Sequence, residues 1–104
     1  MRRAVVTGLG AITPVGKTAP ETWRAAVAGE SGIDWIRAFD ASEFPVRVAA
    51  EVKDFDATGV VPAKEARRLE RNVLLAVAAA KEAVGDAQLE DFDPARVKIG
   101  RAHV

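Results

Sequence analysis

The stretch Arg3 to Gly16, RAVVTGLGAITPVG, constrains the fold more than any other. Ala4, Val5 and Val6 form a short, continuous apolar run rich in β-branched side chains, the pattern of a strand covered on both faces. Gly8 and Gly10 follow, and glycine permits backbone angles that a Cβ forbids. A buried strand leading through glycines to a helix is how α/β domains begin, and ligands often bind beside such a turn. An α/β fold is therefore expected, while position alone does not name a ligand.

The next signals are helical. Thr18-Ala-Pro-Glu21 has the form of a capping box, with the Thr18 hydroxyl accepting from the Glu21 amide and the Glu21 carboxylate reaching back. Pro20 falls in the first turn, where its missing N–H costs nothing. A helix is predicted over about Ala19 to Ala28, with Trp23, Ala26 and Val27 on one face and Gly29 as its stop. From Glu30 to Pro45 no period holds, and Ile33, Trp35, Ile36, Phe39 and Phe44 read as anchors pinning a structured loop to the core. Val46, Val48, Ala50 and Val52 alternate with Arg47, Ala49 and Glu51, as in a half-exposed edge or hairpin strand.

Lys53 to Val61 reads as a loop with Phe55 as an anchor and Gly59 as a turn. Pro62 then opens the most helical part of the chain. Between Ala63 and Val84, Leu69, Val73, Val77, Ala80 and Val84 form one apolar stripe, widened by Leu74, and Gly85 is the expected stop. A second buried strand is predicted to begin at Val97.

With 104 residues the chain makes at most one domain. Its 15 basic and 15 acidic side chains cancel, so no global field draws nucleic acid or an anionic membrane. No apolar run approaches the ~18 residues that span a bilayer. The opening MRRAVVTGLG lacks the apolar core and cleavage site of a signal peptide, so a cytoplasmic location is expected. The sequence contains no cysteine, which removes disulfides, thiolate metal sites and cysteine nucleophiles together.

Few residues invite chemistry. Gly8 and Gly10 could begin a G-x-G-x-x-G fingerprint, but Thr13 stands where the third glycine belongs. The helix cap comes late, at Thr18, and no acidic residue cleanly ends a second strand about 20 positions on. A tight structural turn is the better reading. Lys64, Arg67, Arg68 and Arg71 stand at i, i+3, i+4 and i+7, so a continuous helix would project all four cations from one side. A solvated face tied to nearby carboxylates is the simpler account of such a run. An anionic partner is the alternative, since guanidinium groups bind carboxylate and phosphate bidentately. Asp34, Asp40, Asp54 and Asp56 have no metal-ligand spacing and read as turn and capping residues. His103 has no evident partner, and neither Ser31 nor Ser42 has a nearby general base.

Together, VVTGLGAITPVG, then ETW and AGESGI, then FDASEFPVRVAAEVKDF and KEARRLER resemble the N-terminal part of a β-ketoacyl-acyl carrier protein synthase, most nearly the type II elongating enzyme. The resemblance runs in order from about Arg2 to Val97. It implies part of the N-terminal half of a thiolase-like fold, in which two similar halves stack as α-β-α-β-α layers, and a homodimeric parent. It also implies an acyltransferase of fatty acid elongation, joining an acyl group to malonyl carried on acyl carrier protein by decarboxylative condensation. Neither metal nor cofactor is implied. The family's cysteine nucleophile, its two histidines and its lysine have no counterparts here, so this chain alone is expected to be inactive.

One surface carries over by resemblance. Lys64, Arg67 and Arg68 occupy positions where similar synthases receive the acidic carrier protein, and Arg71 extends the row. That reverses the balance for the basic run. The chain departs from the family where Asn72 and Leu75 replace a common aromatic pair, and where Ala87-Gln88-Leu89 replaces Ala-Gly-Leu. It departs again at Ile99 to Val104, which matches a translated frame of a common sequencing adapter. Residues 1–98 are thus expected to be an incomplete N-terminal synthase domain and 99–104 a non-native tail. The competing reading is a standalone, non-catalytic module that docks an acidic carrier protein through the same basic face.

Overall fold

The structure, a computed structural model, describes residues 2–97. His103 and the segment 99–104 lie outside the described residues. Helix α1 spans Ala19–Val27, β1 Ile33–Trp35, β2 Val48–Ala50, α2 Ala63–Ala66 and α3 Arg71–Asp86. Short 3₁₀ turns occupy Ala57–Gly59 and Pro94–Arg96. The mixture of helices with a small antiparallel sheet agrees with the expected α/β class.

Helix α1 starts as its sequence dictates. The Glu21 N–H donates to the Thr18 hydroxyl at 3.2 Å, and the Glu21 carboxylate reaches back to accept from the Lys17 N–H at 3.0 Å. It stops at Gly29, whose φ of 73° lets the Glu30 N–H reach Ala25 O and the Gly29 N–H reach Ala26 O. The inner face differs from the predicted one. Ala25 is buried with Thr22 half-buried beside it, while Trp23 is 72% exposed and Val27 also faces out.

The irregular stretch after α1 contains a strand. Ile33, Asp34 and Trp35 pair antiparallel with Ala50, Ala49 and Val48, so the predicted strand near Val46 finds its partner inside what reads as a loop. Side chains directly opposite in such a ladder share a face. Ile33, Trp35, Val48 and Ala50 therefore lie together on the exposed side, and Asp34 with Ala49 on the half-buried side. The alternation is as predicted but its burial is inverted. Phe39 and Phe44 are likewise exposed and meet edge to face, with centroids 5.8 Å apart, rather than pinning the loop to a core.

Three further expectations are corrected. Ala4 to Val6 forms no ladder, and Val6 is 80% exposed: a strand needs a neighbour, and none of the described residues pairs with it. The helix opened by Pro62 breaks after Ala66 and restarts at Arg71, with Glu70 extended at ψ 155°. A continuous helix would stack Lys64, Arg67, Arg68 and Arg71 as like-charged neighbours, each such pair disfavouring it by about 0.2–0.5 kcal/mol. On α3 the most buried residue is Leu74, with Val77, Ala78 and Ala79 half-buried, whereas Val73, Ala80 and Val84 of the predicted stripe face outward.

Gly85 is not the stop of α3. The helix runs to Asp86, and Gln88 at φ 57° closes it, with the Leu89 N–H donating to Val84 O and the Gln88 N–H to Gly85 O. Val97 is extended and follows the turn Pro94–Arg96, and the strand predicted to begin there lies outside the described residues.

Candidate functional site

The first segment meets α3 closely. A Cβ on Gly8 would lie 2.2 Å from Ala83 O, and one on Gly10 would lie 1.9 Å from Ala79 O. Neither glycine has a positive φ, so each is required for close approach rather than for backbone angle. Two residues of extended chain advance about 6.6 Å and four helical residues about 6.0 Å. The two repeats therefore stay in step: Gly8 meets Ala83, and Gly10 meets Ala79.

The carboxylates of α3 use the same repeat. Asp86 accepts from the Leu9 N–H at 3.0 Å and Glu82 from the Ala11 N–H at 2.9 Å. Glu82 also accepts from the Ala19 N–H, at 2.9 and 3.2 Å to its two oxygens, and so occupies the start of α1. A phosphate at that helix start would meet a carboxylate already in place. The glycines are architectural. Glu82 and Asp86 were legible only as an i, i+4 acidic pair, whose partner is set by the neighbouring chain.

The basic run lies elsewhere. Lys64 is on α2, Arg67 is its C-cap, Arg68 stands in the connecting turn, and Arg71 opens α3. The break distributes the four cations over two helices and a turn instead of one helical row, and all four are exposed. Pro62 leads α2, its carbonyl accepting from the Glu65 and Ala66 N–H groups at 2.9 and 3.0 Å. The preceding 3₁₀ turn is capped by Asp56, which accepts from the Thr58 N–H at 2.9 Å.

Among the described residues the ion pairs are Arg37 with Asp34 at 3.3 Å and Lys53 with Asp34 at 2.8 Å. Among the described residues Glu65 and Glu70 form no ion pair with any of the four cations, which stand exposed to solvent. Arg71 differs from the rest. Its Nη2 donates to Val52 O at 2.6 Å and its guanidinium lies 5.7 Å from the Phe55 ring centroid. Arg71 also borders an open cleft of about 550 Å³ with Arg37, Glu51, Lys53 and Leu75. Lys64, Arg67 and Arg68 thus form an exposed basic edge.

The acidic residues have local tasks, and Asp34, expected as a turn or capping residue, instead lies in β1 opposite Ala49. The Lys53 hydrogen bond, with help from the Trp35 N–H, holds the Asp34 carboxyl below its ordinary range. Hydrogen bonds from Ser42 and Thr58 do the same for Asp40 and Asp56, respectively. Among the described residues, no group of His, Cys, Asp or Glu side chains is arranged to hold a metal, and no helix is long and apolar enough to cross a membrane.

Residues 1–102 match the family model described as "Beta-ketoacyl synthase, N-terminal domain". The chain is 49% identical over 88 residues to 3-oxoacyl-(acyl-carrier-protein) synthase 2 of Synechocystis sp., covering 85% of this chain and 21% of that protein. It is 41% identical over 101 residues to the like-named protein of Coxiella burnetii, covering 97% and 24%. The solved structure described as "The ishigamide ketosynthase/chain length factor" superposes with a TM-score of 0.76 at 38% identity, covering 86% of this chain and 22% of that one. The chain therefore spans less than a quarter of the length of these relatives. Its fold is part of the N-terminal half of a thiolase-like architecture, and the chain belongs to the β-ketoacyl synthase family.

Proposed function

We propose that this chain is the leading part of a β-ketoacyl-acyl carrier protein synthase, and that Lys64, Arg67 and Arg68 help land the acidic carrier protein on it. The observation that carries the docking reading is an exposed basic edge whose cations have no carboxylate partner among the described residues. A patch not neutralised from within can steer and orient an acidic partner. The curated relatives named above are carrier-protein synthases by name, in keeping with this partner.

The parent would be a cytoplasmic homodimer performing decarboxylative condensation in fatty acid elongation. This chain has no cysteine to form an acyl-enzyme and would be inactive by itself. Exposed Val5, Val6, Ile33 and Trp35 accord with a portion of a larger fold, as does the small share of each relative that the chain spans. The native stretch would end near residue 98 and 99–104 would be a non-native tail, although the family model extends to residue 102.

The test is to recover the source DNA past the Val97 codon, express the whole frame, and measure condensation with Lys64, Arg67 and Arg68 changed to Glu. A frame encoding the missing cysteine and histidines, with a raised apparent KM for carrier protein in the variant, is expected. An unchanged KM would remove the docking role, and a native frame encoding 99–104 would remove the tail assignment. The alternative is a standalone, non-catalytic module that docks an acidic carrier protein through the same basic face. Cooperative unfolding of the isolated chain would speak for the module.

A further inference from the structure

Three cations outside the proposed docking edge converge on one segment. Lys17 lies in the turn before α1, Arg71 is the first residue of α3, and Lys81 stands in its second half. Each donates from its side chain to a main-chain carbonyl between residues 52 and 60. Arg71 reaches Val52 O at 2.6 Å, Lys17 reaches Asp54 O at 2.9 Å, and Lys81 reaches Val60 O.

That segment has little else to hold it. It lies outside the β1–β2 ladder, passes through Asp54 at φ 57°, and makes only the single 3₁₀ turn Ala57–Gly59. Half-buried Phe55 is its one aromatic side chain, and it lies beneath the Arg71 guanidinium. Through Pro62 the segment continues directly into α2. A helix of four residues cannot fix its own orientation, because so short a helix is unstable without its surroundings.

We infer that Lys17, Arg71 and Lys81 are positioning residues that strap residues 52–60 against α3 and the turn before α1, and so aim α2 with Lys64, Arg67 and Arg68. The inference rests on the docking reading for its purpose and adds a division of labour within the basic run. Arg71 continues the row in sequence but engages a carbonyl and a ring of its own chain, whereas Lys64, Arg67 and Arg68 meet the partner. A lysine or guanidinium donor suits this task, since a hydrogen bond from a charged group to a carbonyl is stronger than a neutral one.

The test uses the protein encoded by the whole frame, in which these 104 residues are the leading part. Amide hydrogen exchange is followed in wild type, Arg71→Met, Lys17→Met and Lys81→Met, and binding of a holo acyl carrier protein is measured over a range of salt. In Arg71→Met, exchange at residues 55–61 is expected to rise by about fivefold or more while amides in the middle of α3 keep their protection. Affinity is expected to fall about threefold with the salt dependence unchanged, because no partner-facing charge is lost. Arg71→Lys, which keeps a donor for Val52 O, is expected to restore part of both effects. Unaltered exchange in all three Met variants would overturn the strap. A salt dependence reduced in Arg71→Met as much as in Arg67→Met would overturn the division of labour by making Arg71 a contact. If the wild-type protein does not bind carrier protein, the docking reading fails, and exchange alone decides whether the strap exists.

Discussion

Glu82 closes the start of α1 from another helix: its two carboxylate oxygens accept from the Ala19 N–H at 2.9 and 3.2 Å, across 63 positions of sequence. The same carboxylate holds the Ala11 N–H at 2.9 Å, so one side chain ties the first segment, α1 and α3 together. Removing it leaves two part-buried donors without their partner. Glu82→Ala is expected to destabilise by about 2 kcal/mol, and Glu82→Gln by less, since the amide oxygen still accepts. Chemical denaturation of the two variants checks the order, and an unchanged stability in Glu82→Ala would contradict the cap.

The glycines divide by what surrounds them. A Cβ on Gly10 would overlap the backbone of α3 at Ala79, whereas one on Gly85 meets nothing within 4 Å. Gly10→Ala is expected to cost about 3 kcal/mol through forced separation of the segment from the helix. Gly85→Ala, inside α3, is expected to stabilise by roughly 0.5–1 kcal/mol. Thermal melts of the pair read the opposite signs directly.

Gln88 takes a left-handed conformation, φ 57°, at the end of α3, where glycine is the residue of choice. Gln88→Gly relieves that conformation and is expected to stabilise by about 0.5–1 kcal/mol after the added freedom of the unfolded chain is counted. A lower melting temperature in this variant would show that the Gln88 side chain contributes more than its backbone costs.

What the sequence reveals follows the range of each interaction. The ends of α1 were legible because Thr18, Glu21, Pro20 and Gly29 act within one turn of where they stand. β1 was not, because its identity depends on Val48 to Ala50, and its large side chains carry no period of their own. The break between Ala66 and Arg71 contains neither proline nor glycine, so the apolar pattern runs through it unmarked. The basic edge was legible as composition and spacing, but the separate task of Arg71 depends on Val52 and Phe55 arriving beside it. Apolar alternation in β2 was visible, yet which side is covered depends on what packs there.

The acid limb of stability should report the carboxyls of Asp34, Asp40 and Asp56. Asp34 is held below its ordinary range first by the Lys53 hydrogen bond, so it binds its proton less readily folded than unfolded. Its contribution is complete above the ordinary carboxylate range near pH 4, and it is lost as pH falls through the folded value. Lys53→Met should raise the Asp34 carboxyl toward that range while leaving Asp40 and Asp56, which are held by Ser42 and Thr58. Titration of the side-chain carboxyl resonances separates the three, and an unmoved Asp34 would contradict the assignment of cause.

The central claim is that Lys64, Arg67 and Arg68 form a landing edge for an acidic carrier protein. The most direct measurement is the affinity of the protein encoded by the whole frame for holo acyl carrier protein at several salt concentrations, for wild type and for the variant with these three residues changed to Glu. The account predicts measurable wild-type binding that weakens with salt, and a loss of about tenfold or more in the variant with little remaining salt dependence. Equal affinity and an equal salt response in the two proteins would contradict it.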